Sequence, residues 1–385
     1  MTPSRILVVD DEPAMLRAVE RVLGRRYHVA ASLSSREALA AVAEVRPDIA
    51  ILDIRMPEMD GFELMARLKE RHPETDFILM TGSVTEPDRK LIRAVRQRAF
   101  YFIQKPFDRE VLETLVDRCL ELRRLAEDNR RYMRRLEEEL AEARTFQQRL
   151  LPPPEVVIEG VSVACRYEPC TELGGDLYDY ARAGEGRAAL LVADVSGHGV
   201  SAAMLTGIVK SAFHSYHVDG YDPLAVVGRI WNALRAFGPE RFVTLFCALL
   251  SAAERRMEYV NAGHPSGLSW REGCEPSALE STGPIISSAF ARPVWEKRSH
   301  SLQAGERLLL YTDGVPEARS DGDFFGERRL LAAVAERPAG GPALLDDILG
   351  ALDEFSRGRP RTDDVTLLTA AFLPRSREAA GSGED

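Results

Sequence analysis

At 385 residues the chain exceeds one ordinary domain, and two or three are expected. Its 45% hydrophobic and 29% charged residues exclude an intrinsically disordered protein. The net charge of −10 argues against a broad nucleic-acid-binding face and leaves carboxylates in surplus for cation sites.

Residues 1–107 alternate short apolar runs (6–9, 29–31, 49–52, 77–80 and 100–103) with helical spacings such as Met15, Val19, Val22 and Leu39, Val42. Runs that are apolar throughout fit strands buried on both faces, and five strand–helix repeats predict a doubly wound parallel α/β sheet. In such sheets ligands bind beyond the carboxyl ends of the strands. Asp10 and Asp11 follow the first run, Asp53 the third, Thr81 the fourth, and Lys105 with Pro106 the fifth. Three carboxylates so close raise one another's pKa, and a hard divalent cation such as Mg2+ relieves the repulsion. One of them could accept a phosphoryl group, with Lys105 and Thr81 neutralising its oxygens. Any one of these acids could be an ordinary helix cap. Five polar residues in this order argue for a site.

Residues 108–151 contain neither glycine nor proline, and half of residues 121–150 are charged. Steps of seven from Leu115 reach Leu122, Asn129, Leu136, Ala143 and Leu150, with Leu125, Tyr132 and Phe146 alongside. This heptad seam, with one core asparagine, predicts a helical coiled-coil linker and a parallel homodimer. Arg118 and Glu139 interrupt the seam, so the competing expectation is a lone solvated helix.

From 155 to 373, β-like runs (161–166, 188–195, 242–251, 307–312, 365–372) are separated by helical stretches at 200–217 and 223–237, an α+β layered pattern. The polar residues 375–385 are expected to be a disordered tail. Acids again mark strand ends: Asp176 after Gly174 and Gly175, then Asp194, Asp313, and Asp363 with Asp364. Such a set selects oxygen-loving metals, and a metal pair can activate water and clamp a phosphoryl group. Singly, each acid could be a cap or a turn residue. The stretch from Gly197 through His198 and Gly199 to Ala202 imitates a dinucleotide fingerprint, but the next segment reads as helical where a second strand is required. Ser196 lacks the first glycine of a nucleophile elbow. His198 and His264 are expected to shape a pocket or loop, and His214 and His217 to be solvated or at a core edge.

No apolar run approaches the ~18 residues of a membrane span. The five cysteines, Cys119, Cys165, Cys170, Cys247 and Cys274, form no CxxC pair. A disulfide framework or structural zinc site is therefore not expected, and a cytoplasmic location is.

Residues 1–120, with VVDDEP, LDIRMPEMDG, MTGS and FIQKPF, resemble response-regulator receiver domains. The resemblance implies Asp53 as phosphoacceptor, Mg2+ held at Asp10, Asp11 and Asp53, Thr81 and Lys105 at the phosphoryl group, and Phe102 as the switch aromatic. It also implies a cognate histidine kinase. Arg98 departs from the family's usual glycine, away from the chemistry. Residues 145–373, with QQRLLPPP, GGDLYD, ADVSGHG, NAGHP, YTDGVPEA and DDVTLL, resemble the PPM-type serine phosphatases of bacterial partner switching, the branch of sporulation protein E and stress-response activators. That resemblance implies a PPM-type β-sandwich with Mn2+ or Mg2+ in a two-metal site held by Asp176, Asp194, Asp313, Asp363 and the main-chain carbonyl of Val195. Leu177 departs from the usual aromatic of GGDxYD, and Asp364 stays open as a further ligand. The implied substrate is phosphoserine on a STAS-type anti-sigma-factor antagonist. The expected organisation is a receiver domain (1–120), a coiled-coil linker (121–150), a phosphatase domain (151–374) and the tail (375–385). The alternative is a catalytically inactive phosphatase-fold adaptor binding a sigma factor or its regulator, which loss of metal aspartates would mark; none is missing. Neither nucleic acid nor membrane is expected as a partner.

Overall fold

The computed structural model describes residues 3–82, 101–197, 199–215, 220–337 and 340–373. Arg98, His198, His217 and the expected tail lie outside the described residues. The chain divides into two compact units, Met1–Leu136 and Glu137–Asp385. Among the described residues no helix is long and apolar enough to cross a membrane.

The first unit contains β1 (Arg5–Val9), α1 (Pro13–Leu23), β2 (His28–Ser32), α2 (Ser35–Val45), β3 (Ile49–Asp53), α3 (Gly61–Arg71), β4 (Asp76–Thr81), β5 (Tyr101–Gln104) and the start of α4 (Arg109–Leu150). Its five strands pair in parallel in the order β2-β1-β3-β4-β5, the expected doubly wound sheet. β3 is buried along its whole length, which is why its sequence shows no polar alternation. Ser34 and Asp60 start α2 and α3 by accepting from the amides of Glu37 and Glu63 at 3.2 and 2.8 Å. Leu112, Val116 and Cys119 of α4 close one side of the core. Further along, Arg123 reaches Asp76 at 3.6 Å and Asp48 at 3.8 Å, so charge continues the docking stripe where apolar residues stop.

α4 is one unbroken helix of 42 residues. Leu125, Tyr132, Leu136 and Phe146 of the expected seam are 58, 73, 50 and 67% exposed in the single chain. They lie on a different face from Leu112, Val116, Cys119 and Arg123.

The second unit is a four-layer sandwich. One sheet runs β15 (Arg298–Ser301), β11 (Arg256–Ala262), β10 (Phe242–Ser251), β9 (Arg187–Val195), β8 (Asp176–Arg182), with β14 (Ile286–Ser287) on β10. The other runs β13 (Ser277–Leu279), β12 (Gly267–Trp270), β16 (Arg307–Tyr311), β19 (Val365–Phe372), β7 (Val161–Glu168), β6 (Glu155–Ile158). A small ribbon, β17 (Arg319–Ser320) with β18 (Asp323–Phe324), lies outside both. Helices α5 (Val200–His214) and α6 (Pro223–Leu234) cover the first sheet, and α7 (Gly326–Glu336) and α8 (Pro342–Ser356) the second. β9 shows why its sequence is continuously apolar: Ala189, Leu191, Ala193 and Val195 meet the helices, while Ala188, Leu190 and Val192 enter the space between the sheets. α5 ends at His214 and α6 at Leu234, short of the expected 217 and 237. Asp176, expected to precede a strand, is itself the first residue of β8.

Candidate functional site

In the first unit the strand ends bring the expected acids together. Carboxylate oxygens of Asp10, Asp11 and Asp53 lie within 4.8 Å of one another. Asp10 and Asp53 are buried and Asp11 is exposed, so the cluster opens to solvent on one side. Lys105 Nζ stands 2.6 Å from Asp10 Oδ2 and 2.8 Å from Asp53 Oδ1. Burial, with the Asp10 charge, raises the Asp53 pKa above the usual carboxylate value despite the Lys105 hydrogen bond and charge. Backbone amides hold the other oxygens: Glu12 donates to Asp10 Oδ1 at 3.0 Å, and Arg55 to Asp53 Oδ2 at 3.1 Å. Thr81 ends β4, where its carbonyl accepts from the Lys105 amide at 2.7 Å. Phe102, on β5, is half-buried against the core that includes Leu52 and Leu79.

In the second unit the ladder sets Asp176 directly opposite Asp194, and Asp194 opposite Thr244 of β10. Residues directly opposite share a face, and like charges so placed repel. Thr312 and Thr366 both donate through Oγ1 to Asp176 Oδ2 at 2.7 Å, joining the two sheets at this carboxylate. Burial and the Asp194 charge push Asp176 far above the usual carboxylate range. Burial, then Asp313, Asp363 and Asp364, pushes Asp194 up to about 7. Burial, then Asp363 and Glu317, pushes Asp313 up to about 6. Three oxygen-donor acids whose pKa values are raised by burial and by neighbouring carboxylates, Asp363 among these neighbours, fit a cation-binding role, and their chemistry suits a hard metal. Among the described residues, only Asp10, Asp11 and Asp53 form a group of three or more ligand atoms within 4.8 Å; the acids of the second unit stand further apart.

Asp363 and Asp364 differ in surroundings. Asp364 is buried, and its two oxygens accept from the amides of Cys170 and Gly175 at 2.8 and 2.6 Å. Asp363 is exposed and bears on Asp194 and Asp313. Asp364 thus anchors a loop, and both acids bear on Asp194. The two glycines before Asp176 are demanded by close approach. A Cβ on Gly174 would lie 2.5 Å from Asp364 Oδ2, and one on Gly175 2.4 Å from the Val195 carbonyl.

Residues 6–117 match the response regulator receiver domain, and residues 184–373 match stage II sporulation protein E (SpoIIE). The chain joins a receiver domain to a SpoIIE-type domain. Phosphoserine phosphatase RsbP of Bacillus subtilis is 30% identical over 235 residues, 60% of this chain and 57% of RsbP. Protein IcfG of Synechocystis is 28% identical over 260 residues, 60% of this chain and 41% of IcfG. The chain therefore spans about half the length of these relatives. The SiaA-PP2C domain of Pseudomonas aeruginosa matches with a TM-score of 0.55 at 22% identity, over 63% of this chain and 97% of that domain. The SpoIIE-type domain accordingly has the PP2C fold.

Within the SpoIIE-type domain, Thr312, Thr366 and Thr244 were not among the residues expected from sequence. The first two sit in the YTDG and DDVTLL motifs, Thr312 next to Asp313 and Thr366 two residues after Asp364, and that nearness to an aspartate was the available signal. His264 is buried, with Nδ1 2.8 Å from Thr244 Oγ1, and burial lowers its pKa to about 3. It is a neutral hydrogen-bonding residue next to the acid row. Ser196 Oγ accepts from the Phe242 amide at 2.9 Å, which ties the β9 end to β10. His214 takes the core-edge alternative: it is half-buried beside Phe213, and Nε2 lies 2.9 Å from Asp179 Oδ2, which Lys210 approaches at 2.5 Å.

Proposed function

We propose that this chain is a receiver-controlled, metal-dependent protein-serine phosphatase, a hydrolase acting on a phosphoserine partner-switching protein of the STAS type. The observation that carries the reading is the row formed by buried Asp176 and half-buried Asp194 and Asp313, beside exposed Asp363. With Asp194 pushed up to about 7 and Asp313 to about 6, the row needs added positive charge to ionise fully at neutral pH. Asp176, Asp194, Asp313 and Asp363, with the Val195 carbonyl, are the residues we assign to two Mn2+ or Mg2+ ions. When bound, such ions supply a deprotonated water and a clamp for phosphoryl oxygens. The chain's own part is positional. The two threonines fix Asp176 Oδ2 and leave Oδ1 free to turn to a cation. The relative RsbP, a phosphoserine phosphatase, supports phosphoserine as the substrate group.

In the receiver we assign Asp53 as the phosphoryl acceptor, supplied by a histidine kinase. Asp10, Asp11 and Asp53 form an oxygen cradle suited to Mg2+. Lys105, already on Asp53, is placed to meet the oxygens of a phosphoryl group there. Thr81 at the β4 end would join it, and Phe102 would follow the change in packing. The assigned boundaries are 1–120, 121–150, 151–374 and 375–385. The exposed seam of α4 supports a homodimer through a coiled coil, because burying Leu122, Leu136 and Leu150 stabilises a helix more than its own ion pairs do. Five free cysteines accord with a reducing cytoplasm.

The deciding experiment is phosphate release from phosphoserine STAS proteins, with Mn2+ and with excess EDTA. Release that requires Mn2+ is expected; none with either would sink the reading. For the dimer, ultracentrifugation should give a dimer for wild type and a monomer for Leu122→Asp/Leu136→Asp.

A further inference from the structure

Past Cys119, α4 buries one side chain only, and that side chain is polar: Gln147, 7% exposed. Its neighbours Phe146 and Gln148 are exposed. Burying a carboxamide is unfavourable unless its donor and acceptor are both satisfied, so such a residue marks a specific contact. Gln147 meets a single residue's backbone on both sides. Nε2 donates to the Gly174 carbonyl at 2.6 Å, and Oε1 accepts from the Gly174 amide at 3.2 Å. The orientation is forced, since a backbone amide only donates and a carbonyl only accepts.

The residue gripped is one step from the acid row. Gly175 donates to Asp364 Oδ2 at 2.6 Å and accepts from the Val195 amide at 3.1 Å, and Asp176 is next in the chain. On its other side Gly174 is walled by Tyr167 Oη and the Asp364 carboxylate. The segment has little freedom except along the direction that Gln147 closes. The end of the helix is itself fastened to the same domain: Tyr178 Oη donates to the Pro152 carbonyl at 3.0 Å and Tyr180 Oη to that of Pro153 at 2.9 Å.

We propose that Gln147 is a positioning residue of the acid site: its carboxamide holds the Gly174–Gly175 peptides in place, so the affinity of the acids for divalent cations depends on how the last turns of α4 are seated. The inference rests on the metal reading of Asp176, Asp194, Asp313 and Asp363, and adds a control point to it. A shift of α4 at Gln147 would release Gly174, loosen the Gly175 donation to Asp364, and move Asp176 and the Val195 carbonyl relative to each other.

The test uses the full chain with Gln147→Glu, Gln147→Met and, as a control on the exposed neighbour, Gln148→Glu. Gln147→Glu keeps the acceptor for the Gly174 amide but sets a carboxylate oxygen against the carbonyl. Gln147→Met keeps the bulk and removes both hydrogen bonds. Mn2+ binding is read by calorimetry, and amide exchange at residues 172–177 is read without metal. Both Gln147 variants should exchange faster at Gly174 and Gly175 and bind Mn2+ about 10- to 100-fold more weakly, the usual range for residues that orient ligands. Gln148→Glu should match wild type in both. Melting curves identify a variant that fails to fold, and the other Gln147 variant then decides. Mn2+ affinity within twofold of wild type in the folded Gln147 variants would overturn the proposal alone. A wild-type chain that binds no Mn2+ would overturn the metal reading, and this proposal with it.

Discussion

The receiver and the SpoIIE-type domain both gather aspartates at strand ends, but they balance the charge by different means. In the receiver, Lys105 bridges Asp10 and Asp53 at 2.6 and 2.8 Å, so part of the compensation is built into the chain. The main groups that act on Asp176, Asp194 and Asp313 are other acids, threonine hydroxyls and backbone amides, and no lysine or arginine is among them. Asp179 sharpens the contrast. It sits three residues from Asp176 on β8, and Lys210 and His214 lie 2.5 and 2.9 Å from it. Asp179 carries its own cation, whereas the main groups that act on the row include none.

The largest effects are expected where no internal cation exists. Asp194→Asn or Asp313→Asn should abolish phosphate release and the rise in melting temperature that Mn2+ gives the wild type. The metal-free melting temperature should be unchanged or higher, since one repelling charge is gone. The Asp194 pKa, at about 7, stands above its unfolded value, so the stability tied to its protonation is present at low pH and lost as pH rises through about 7. Metal-free wild type should therefore melt lower at pH 8 than at pH 5, as an order-of-magnitude window from the same linkage. Asp194→Asn should flatten that slope in calorimetry. Full activity in excess EDTA would break the comparison.

Next comes the receiver. Asp53→Ala should abolish phosphorylation by a histidine kinase or acetyl phosphate, as read by intact mass. Lys105→Met should weaken it without abolishing it, because the cation assists but the carboxylate reacts. Label found on another residue of the chain would contradict this. A smaller effect is expected for Thr312→Val and Thr366→Val, each of which removes one of two hydrogen bonds to Asp176. Calorimetric Mn2+ affinity should fall about 10-fold in each, and equal affinity to wild type would show that Asp176 needs no such support. The smallest effect on the acid site is expected for Lys210→Met. Chemical denaturation should show a loss of about 1–3 kcal/mol with Mn2+ affinity unchanged, since Asp179 belongs to the fold rather than the row.

Much of this was legible in the sequence because its signals are local. A strand buried on both faces writes itself as an apolar run, and an acid at its end is adjacent in the chain, as with Asp53 at the end of β3 and Asp194 near the end of β9. The glycines before Asp176 were also visible, though not what they make room for. Other features depend on residues that meet only across the fold. Thr312 and Thr366 reach Asp176 from 136 and 190 positions away, through pairing of the second sheet that no local pattern records. Asp363 and Asp364 are neighbours of one residue type, and it was the amides of Cys170 and Gly175, met across the fold, that made Asp364 the one to anchor a loop.

In α4 the division is sharpest. The heptad spacing and the absence of glycine and proline determined a long helix, because helix formation depends on residues a turn apart. The sequence alone also determined which carboxylates could serve two separate sites, because charge and strand-end position are properties of short segments. Tertiary structure alone decided that Gln147, outwardly like Gln148, turns inward to a peptide 27 residues on, since a hydrogen bond forms where donor and acceptor are brought together, whatever their separation in the chain.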